Sequence, residues 1–163
     1  MSNNRRVGRE YALKMLFALN LSKDQAEPDQ FISSFLDNFR FADDVLGEPL
    51  EAIDVPLTTS SRLFAESIIN GVVEFRAVID KNISEIAKNW SLGRMTPVDL
   101  SILRIATYEL LYRPEIPAPV VIDEAIEIAK RYGTKESPSF INGLLDKIAK
   151  KSTKAASSLS SYQ

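Results

Sequence analysis

TPVDLSILRIATYELLYRPEIPAPVVIDEAIEIAKRYGTKESPSFINGLLDKI, residues 96–148, decides the fold. Thr96 offers a side-chain oxygen just ahead of Pro97, a residue suited to the first helical position, and Asp99 sits three on, near the positive end of a helix dipole. Leu100, Ile102, Leu103, Ile105, Ala106, Leu110 and Leu111 fall nearly all round the helical wheel, which predicts a central helix buried on most sides. Pro114, Pro117 and Pro119 end it. A second helix is expected over 120–132, with Ile122, Ala125, Ile126 and Ala129 inward and Asp123, Glu124 and Glu127 outward; Glu127 precedes Arg131 by four, a favourable ion-pair order. Gly133 stands where a left-handed helix terminator is common. Ser137–Pro138 repeats the cap-and-proline signal for a helix carrying Phe140, Ile141, Leu144, Leu145 and Ile148.

The same period continues upstream, with no run of strand-like alternation. The first helix is expected over 5–21. Val7, Tyr11, Met15 and Leu19 succeed one another at four-residue steps, and Ala12 and Leu16 widen the stripe. Leu13 and Phe17 form a second strip, which means either two packed neighbours or one neighbour and an exposed contact surface. Pro28–Asp29 introduces a helix bearing Phe31, Ile32, Phe35, Leu36 and Phe39, and residues 43–57 read as a loop. Thr58 to Ser61 supply candidate caps for a helix with Leu63, Phe64, Ile68 and Ile69, in which Gly71 marks a close packing point. A further helix passes through Val78, Ile79, Ile83, Ile86 and Ala87 to Trp90. The expectation is seven helices in one all-α domain over 1–150, followed by a disordered tail, 151–163, rich in Ser, Ala and Lys.

Composition narrows the chemistry. The 163 residues include no cysteine and no histidine, which removes thiol chemistry, most zinc sites and the commonest general base. The adjacent pairs Asp43–Asp44 and Asp123–Glu124 do not converge on one point of a helix, and the six glycines are scattered rather than gathered in a phosphate loop. An enzyme could still use carboxylates with magnesium or a Ser–Lys pair, but the composition and spacing weigh against catalysis and against a metal site. No apolar run is long enough to span a bilayer and no secretory leader is evident, so a cytoplasmic protein without a membrane partner is expected.

The net charge of −2 hides an uneven distribution. Residues 1–23 hold Arg5, Arg6, Arg9, Lys14 and Lys23 against Glu10; residues 24–54 hold nine acids against Arg40; Lys147, Lys150, Lys151 and Lys154 follow Asp146 with no further acid. Basic ends fit either a nucleic acid partner or solvated tails. Arginines in the first turns of a helix can fork onto phosphates. The turn Arg131-Tyr132-Gly133-Thr134, with Phe140 nearby, could stack unpaired bases; equally, Tyr132 could cover a helix end and Phe140 could be core.

Residues 89–150 closely resemble the C-terminal half of the NusB family, most tellingly in ILRIATYEL (102–110), VVIDEAIEIAKRYG (120–133) and SPSFINGLLDKI (137–148), while RRVGREYALKMLFAL (5–19) resembles its arginine-rich first helix. The resemblance implies two small helical bundles packed as one domain. It also implies binding of single-stranded boxA RNA of rRNA leader transcripts, with ribosomal protein NusE as partner in an RNA polymerase antitermination complex, and no catalytic activity, cofactor or metal. By position, Arg5, Arg6, Arg9, Tyr132, Gly133, Glu136 and Phe140 match RNA-contacting residues; Phe17 and Asp99 match positions facing NusE, and Leu13 shares the Phe17 strip. Val7 and Gly8 stand where the family often has a further basic residue and Ala, and Ser139 where a basic residue often precedes the Phe; these departures imply fewer phosphate contacts and a looser helix start. Two other readings stay open: a protein-only helical adaptor that uses Leu13–Phe17 and the acidic segment, and, because the resemblance extends to NusB-like domains that precede methyltransferase domains, one half of an RNA-modifying enzyme whose cofactor domain would have to lie elsewhere.

Overall fold

The computed structural model describes residues 2–21, 57–88 and 90–160, with side chains described at 4–19, 57–88 and 90–153. Among them are six α-helices and no strand: α1 Ser2–Leu21, α2 Thr59–Glu74, α3 Arg76–Ile86, α4 Pro97–Tyr112, α5 Ala118–Tyr132 and α6 Ser137–Ser160, with a 3-10 turn at Leu92–Arg94 leading into α4. The all-helical expectation holds. The helix expected after Pro28 and nearly all of the loop 43–57 lie outside the described residues. The chain divides into two compact units, Met1–Asn70 and Gly71–Gln163.

In the first unit α1 buries Val7, Tyr11, Ala12, Leu13, Met15 and Leu16. Both strips read from the sequence therefore face protein, and only the Phe17 end stays half-exposed. Thr58 caps α2: its hydroxyl oxygen accepts from the Ser61 N–H at 3.1 Å. The Ser61 hydroxyl donates to the Asn4 carbonyl at 3.0 Å, which ties the start of α2 to the start of α1. Gly8 lies at this contact. A Cβ there would stand 2.9 Å from the Phe64 ring and 3.0 Å from the Ser61 carbonyl oxygen. The glycine read as a loosened helix start is in fact what lets α2 approach. Val7, at the position the resemblance marks as often basic, is core.

The second unit is wrapped around α4. Every residue from Ser101 to Glu109 is buried, and α3, α5 and α6 pack against the helix. Its start is as expected: the Thr96 hydroxyl accepts from the Asp99 N–H at 3.2 Å, with Pro97 in the first turn. Arg104 is a charged exception in this core, its side chain 7% exposed. It donates both arms of its guanidinium to Asp80 of α3, at 2.8 and 3.0 Å, and Arg76 approaches the same carboxylate at 3.7 Å. A buried guanidinium is tolerated only with such a forked partner.

Gly71 is the close packing point the sequence marked. A Cβ on it would fall 2.1 Å from the Tyr108 ring. Next to that contact Phe75 stacks on Tyr112 at 4.0 Å, and Tyr112 lies 5.7 Å from Tyr108, an aromatic ladder along one side of α4.

Helix α5 starts ahead of the expected residue 120, with Pro119 inside its first turn, where its missing N–H costs nothing. Its buried residues are Val121, Ala125, Ile128 and Ala129, so the stripe is turned slightly from the expected one; Ile122 and Ile126 are only partly covered. Helix α6 buries Ile141, Leu144, Leu145 and Ile148. The helix then runs on to Ser160, within the stretch 151–163 expected as a disordered tail. Extending an existing helix through Lys154, Ala155 and Ala156 costs far less than nucleating one. Lys151 of α6 pairs with Glu85 of α3, and that contact holds the Glu85 carboxyl below its usual range.

Removing Asp80 strands the Arg104 guanidinium in the core. Asp80→Ala should cost about 3 kcal/mol in urea unfolding, whereas Lys150→Ala, which breaks an exposed pair with Asp146, should cost under about 0.5 kcal/mol. Gly71→Ala should cost about 1–3 kcal/mol by overpacking Tyr108. In a Tyr108→Ala background the same change should cost almost nothing, a coupling that a double-mutant cycle reads directly.

Candidate nucleic-acid interface

The expected arginines of α1 are not equivalent. Arg5 is exposed, Arg6 is half-buried and Arg9 is only 3% exposed. Arg5 and Arg9, one helical turn apart, both lay their guanidinium groups over the Phe64 ring, at 5.5 and 5.2 Å from its centre. Such cation–π contacts orient a guanidinium and hold it close to the protein. Arg9 is thus committed to packing, while Arg5 and the exposed part of Arg6 can be reached by a phosphate. Phe64 is the residue that sequence reasoning missed here. It read as one apolar position among several, and only knowledge of which helix lies against α1 reveals its use.

In the second unit the residues expected to meet RNA gather at the α5–α6 corner. Gly133 follows the last residue of α5 with φ −91° and ψ −168°, extended rather than left-handed. The expected helix terminator is therefore corrected: the glycine is required by crowding, because a Cβ would stand 2.5 Å from the Ser137 Oγ and 2.9 Å from the Ala129 carbonyl oxygen. Ser137 is not the residue before the helix, as expected, but its first residue. Its hydroxyl turns back and accepts from the Thr134 N–H at 2.9 Å, closing the turn.

This tight turn displays Thr134, Lys135, Glu136 and Ser139 to solvent. Arg131 lies over the Tyr132 ring at 5.5 Å, and Glu127 pairs with Lys130 at 3.0 Å, a neighbour the sequence reading did not assign to it. Phe140, one turn into α6, is only partly covered, and its ring meets the edge of Trp90 at 6.1 Å and 61°. Tyr132 is half-buried. Tyr132, Gly133, Glu136 and Phe140 therefore share one corner, with Lys130, Arg131 and Lys135 around it.

The residues expected to face a protein partner separate. Leu13 is 0% exposed and its side chain is core, which corrects its assignment to a contact surface; Phe17 keeps partial exposure. Asp99 is 7% exposed and sits in the first turn of α4, where the helix dipole favours its charge. Its Oδ1 is buried without a hydrogen-bond partner among the described residues.

Among the described residues no group of three or more acidic side chains converges as a metal site, and no helix is long and apolar enough to cross a membrane. What the surfaces offer is cationic groups for phosphates and ring faces for bases, the two elements of single-strand recognition.

Comparison with known proteins places the chain in a family. The family model described as "NusB family" matches residues 6–150. The transcription antitermination protein NusB of Syntrophotalea carbinolica is 49% identical over 149 residues, covering 91% of this chain and 94% of the relative. That of Geobacter sulfurreducens is 46% identical, covering 89% and 93%. A solved structure of T. maritima NusB superposes with a TM-score of 0.72 at 39% identity, over 90% of each chain. A crystal structure of NusB and NusE in complex with dsRNA shares the fold, with a TM-score of 0.70 at 20% identity over 93% of this chain and 99% of that one. This chain belongs to the NusB family.

Proposed function

We propose that this chain is a transcription antitermination factor. In this reading it binds the single-stranded boxA element of rRNA leader transcripts together with ribosomal protein NusE, joins a polymerase-bound complex, and acts in the cytoplasm by binding rather than catalysis. The observation that carries the reading is the near-full-length kinship, up to 49% identity, with relatives named as transcription antitermination proteins. The surfaces supply its chemistry. Arg5 and Arg6 contact phosphates at one surface. At the α5–α6 corner Arg131 and Lys135 do the same while Phe140 and Tyr132 hold bases and Glu136 accepts hydrogen bonds from their edges. Arg9 supports the first surface through Phe64. Phe17, with Asp99 beneath the start of α4, belongs to the reading as the NusE-facing side; the company of NusE and NusB in one solved complex of this fold is in keeping with it.

A mobility shift with a short boxA RNA, with and without NusE, tests the reading. Binding that NusE strengthens supports it; no binding at low salt, with NusE present, overturns it in favour of a protein-only adaptor. With about four phosphate contacts the affinity should fall with salt at a log–log slope of about −3, and a slope near zero would remove the electrostatic part. Arg5→Ala should weaken boxA and scrambled RNA alike, because phosphate contacts carry no sequence information, and should cost at most about 1 kcal/mol of stability through the lost contact with Phe64. Phe140→Ala should weaken boxA more than scrambled RNA, by about five- to tenfold. Arg9→Ala should lower the unfolding midpoint as well as the affinity.

A further inference from the structure

Trp90 is 52% exposed, an indole that folding leaves half in water. The other large apolar side chains with comparable exposure among the described residues are aliphatic: Leu63, Val73, Val78 and Val120. Trp90 also has a defined setting. Its backbone N–H donates to the Ala87 carbonyl at 3.0 Å, which fixes the turn after α3, and its ring meets Phe140 edge-on. The sequence between 86 and 98 holds Lys88 and Arg94 and no acid, and both cations are exposed. An aromatic face whose own turn carries cations and no acid suits a polyanion that carries rings. An uncharged or basic protein surface would gain nothing from those charges.

We propose that Trp90 is a second stacking platform for single-stranded RNA: an unpaired base lies on the indole next to the base held at Phe140, with the backbone phosphates passing Lys88 and Arg94. The inference rests on the RNA-binding reading above and extends that surface onto the turn between α3 and α4. Nothing in the platform selects a base by hydrogen bonding, so it adds affinity and strand length rather than sequence choice.

The chain has a single tryptophan, so its fluorescence reports Trp90 alone. Titrating the full-length protein with single-stranded boxA RNA should quench that emission over the same concentrations that produce the mobility shift, and should shield the indole from acrylamide. Trp90→Ala should weaken binding about tenfold on boxA and scrambled RNA alike, and Trp90→Phe should restore most of it. Should the RNA shift the protein while the emission and acrylamide access stay unchanged and Trp90→Ala binds normally, the platform is refuted and the RNA-binding reading stands. The platform is refuted in the same way if Trp90→Ala alters only self-association in sedimentation. With no RNA shift for the unaltered protein, both fall together. If Trp90→Ala does not fold, the quenching, the acrylamide shielding and Trp90→Phe decide the matter.

Discussion

Helix α4 cannot face water. From Ser101 to Glu109 every side chain is covered, and a helix apolar on nearly all sides is stable only when other helices enclose it. That requirement organises the second unit. Helices α3, α5 and α6 supply the enclosure, and the charged Arg104 within it obliges α3 to present Asp80. The approach at Gly71 and the aromatic ladder from Phe75 to Tyr108 are further parts of the same wrapping. The α5–α6 corner is a by-product: two helices that must both cover α4 need a short, sharp connection, and that connection carries half-buried aromatic and exposed basic residues.

The tightness of the corner comes from packing rather than from unusual backbone. Gly133 is extended, a conformation open to any residue, yet the space its side chain would need is taken by Ser137. The Ser137 hydroxyl in turn holds the Thr134 N–H. A rigid turn matters for binding, because side chains already held in place lose less freedom when a ligand arrives. In the first unit Phe64 does comparable work, holding the Arg5 and Arg9 guanidinium groups together over one ring.

Much of this was legible in the sequence. Periodicity predicted the all-helical class and the central burial of α4, the cap-and-proline signal predicted its Thr96–Pro97 start, and a glycine inside a helical pattern marked the close approach at Gly71. The misreadings share one cause: periodicity says that a residue is apolar or charged, not what lies opposite it. Leu13 read as part of a second packed side or a contact surface, the resemblance drew it to the partner side, and its full burial makes it core. Gly8 read as a weak helix former until α2 was seen against it. Arg9 read as a phosphate ligand, and the fold buries it to 3% exposure with its guanidinium over Phe64. Gly133 was singled out for the wrong reason, since a glycine needed for space and one needed for a left-handed turn look the same in one sequence. Phe64 and Trp90 gave no signal of their own, because each acquires its role only from a ring or a cation brought to it by the fold.

The central claim is that the start of α1 and the α5–α6 corner both contact unpaired RNA. Amide chemical-shift mapping of the isotope-labelled protein titrated with boxA RNA addresses it most directly. Perturbations are predicted at Arg5 and Arg6 and across residues 131–140, with the buried middle of α4 silent. Perturbations confined to other surfaces, or none at low ionic strength, would contradict the claim.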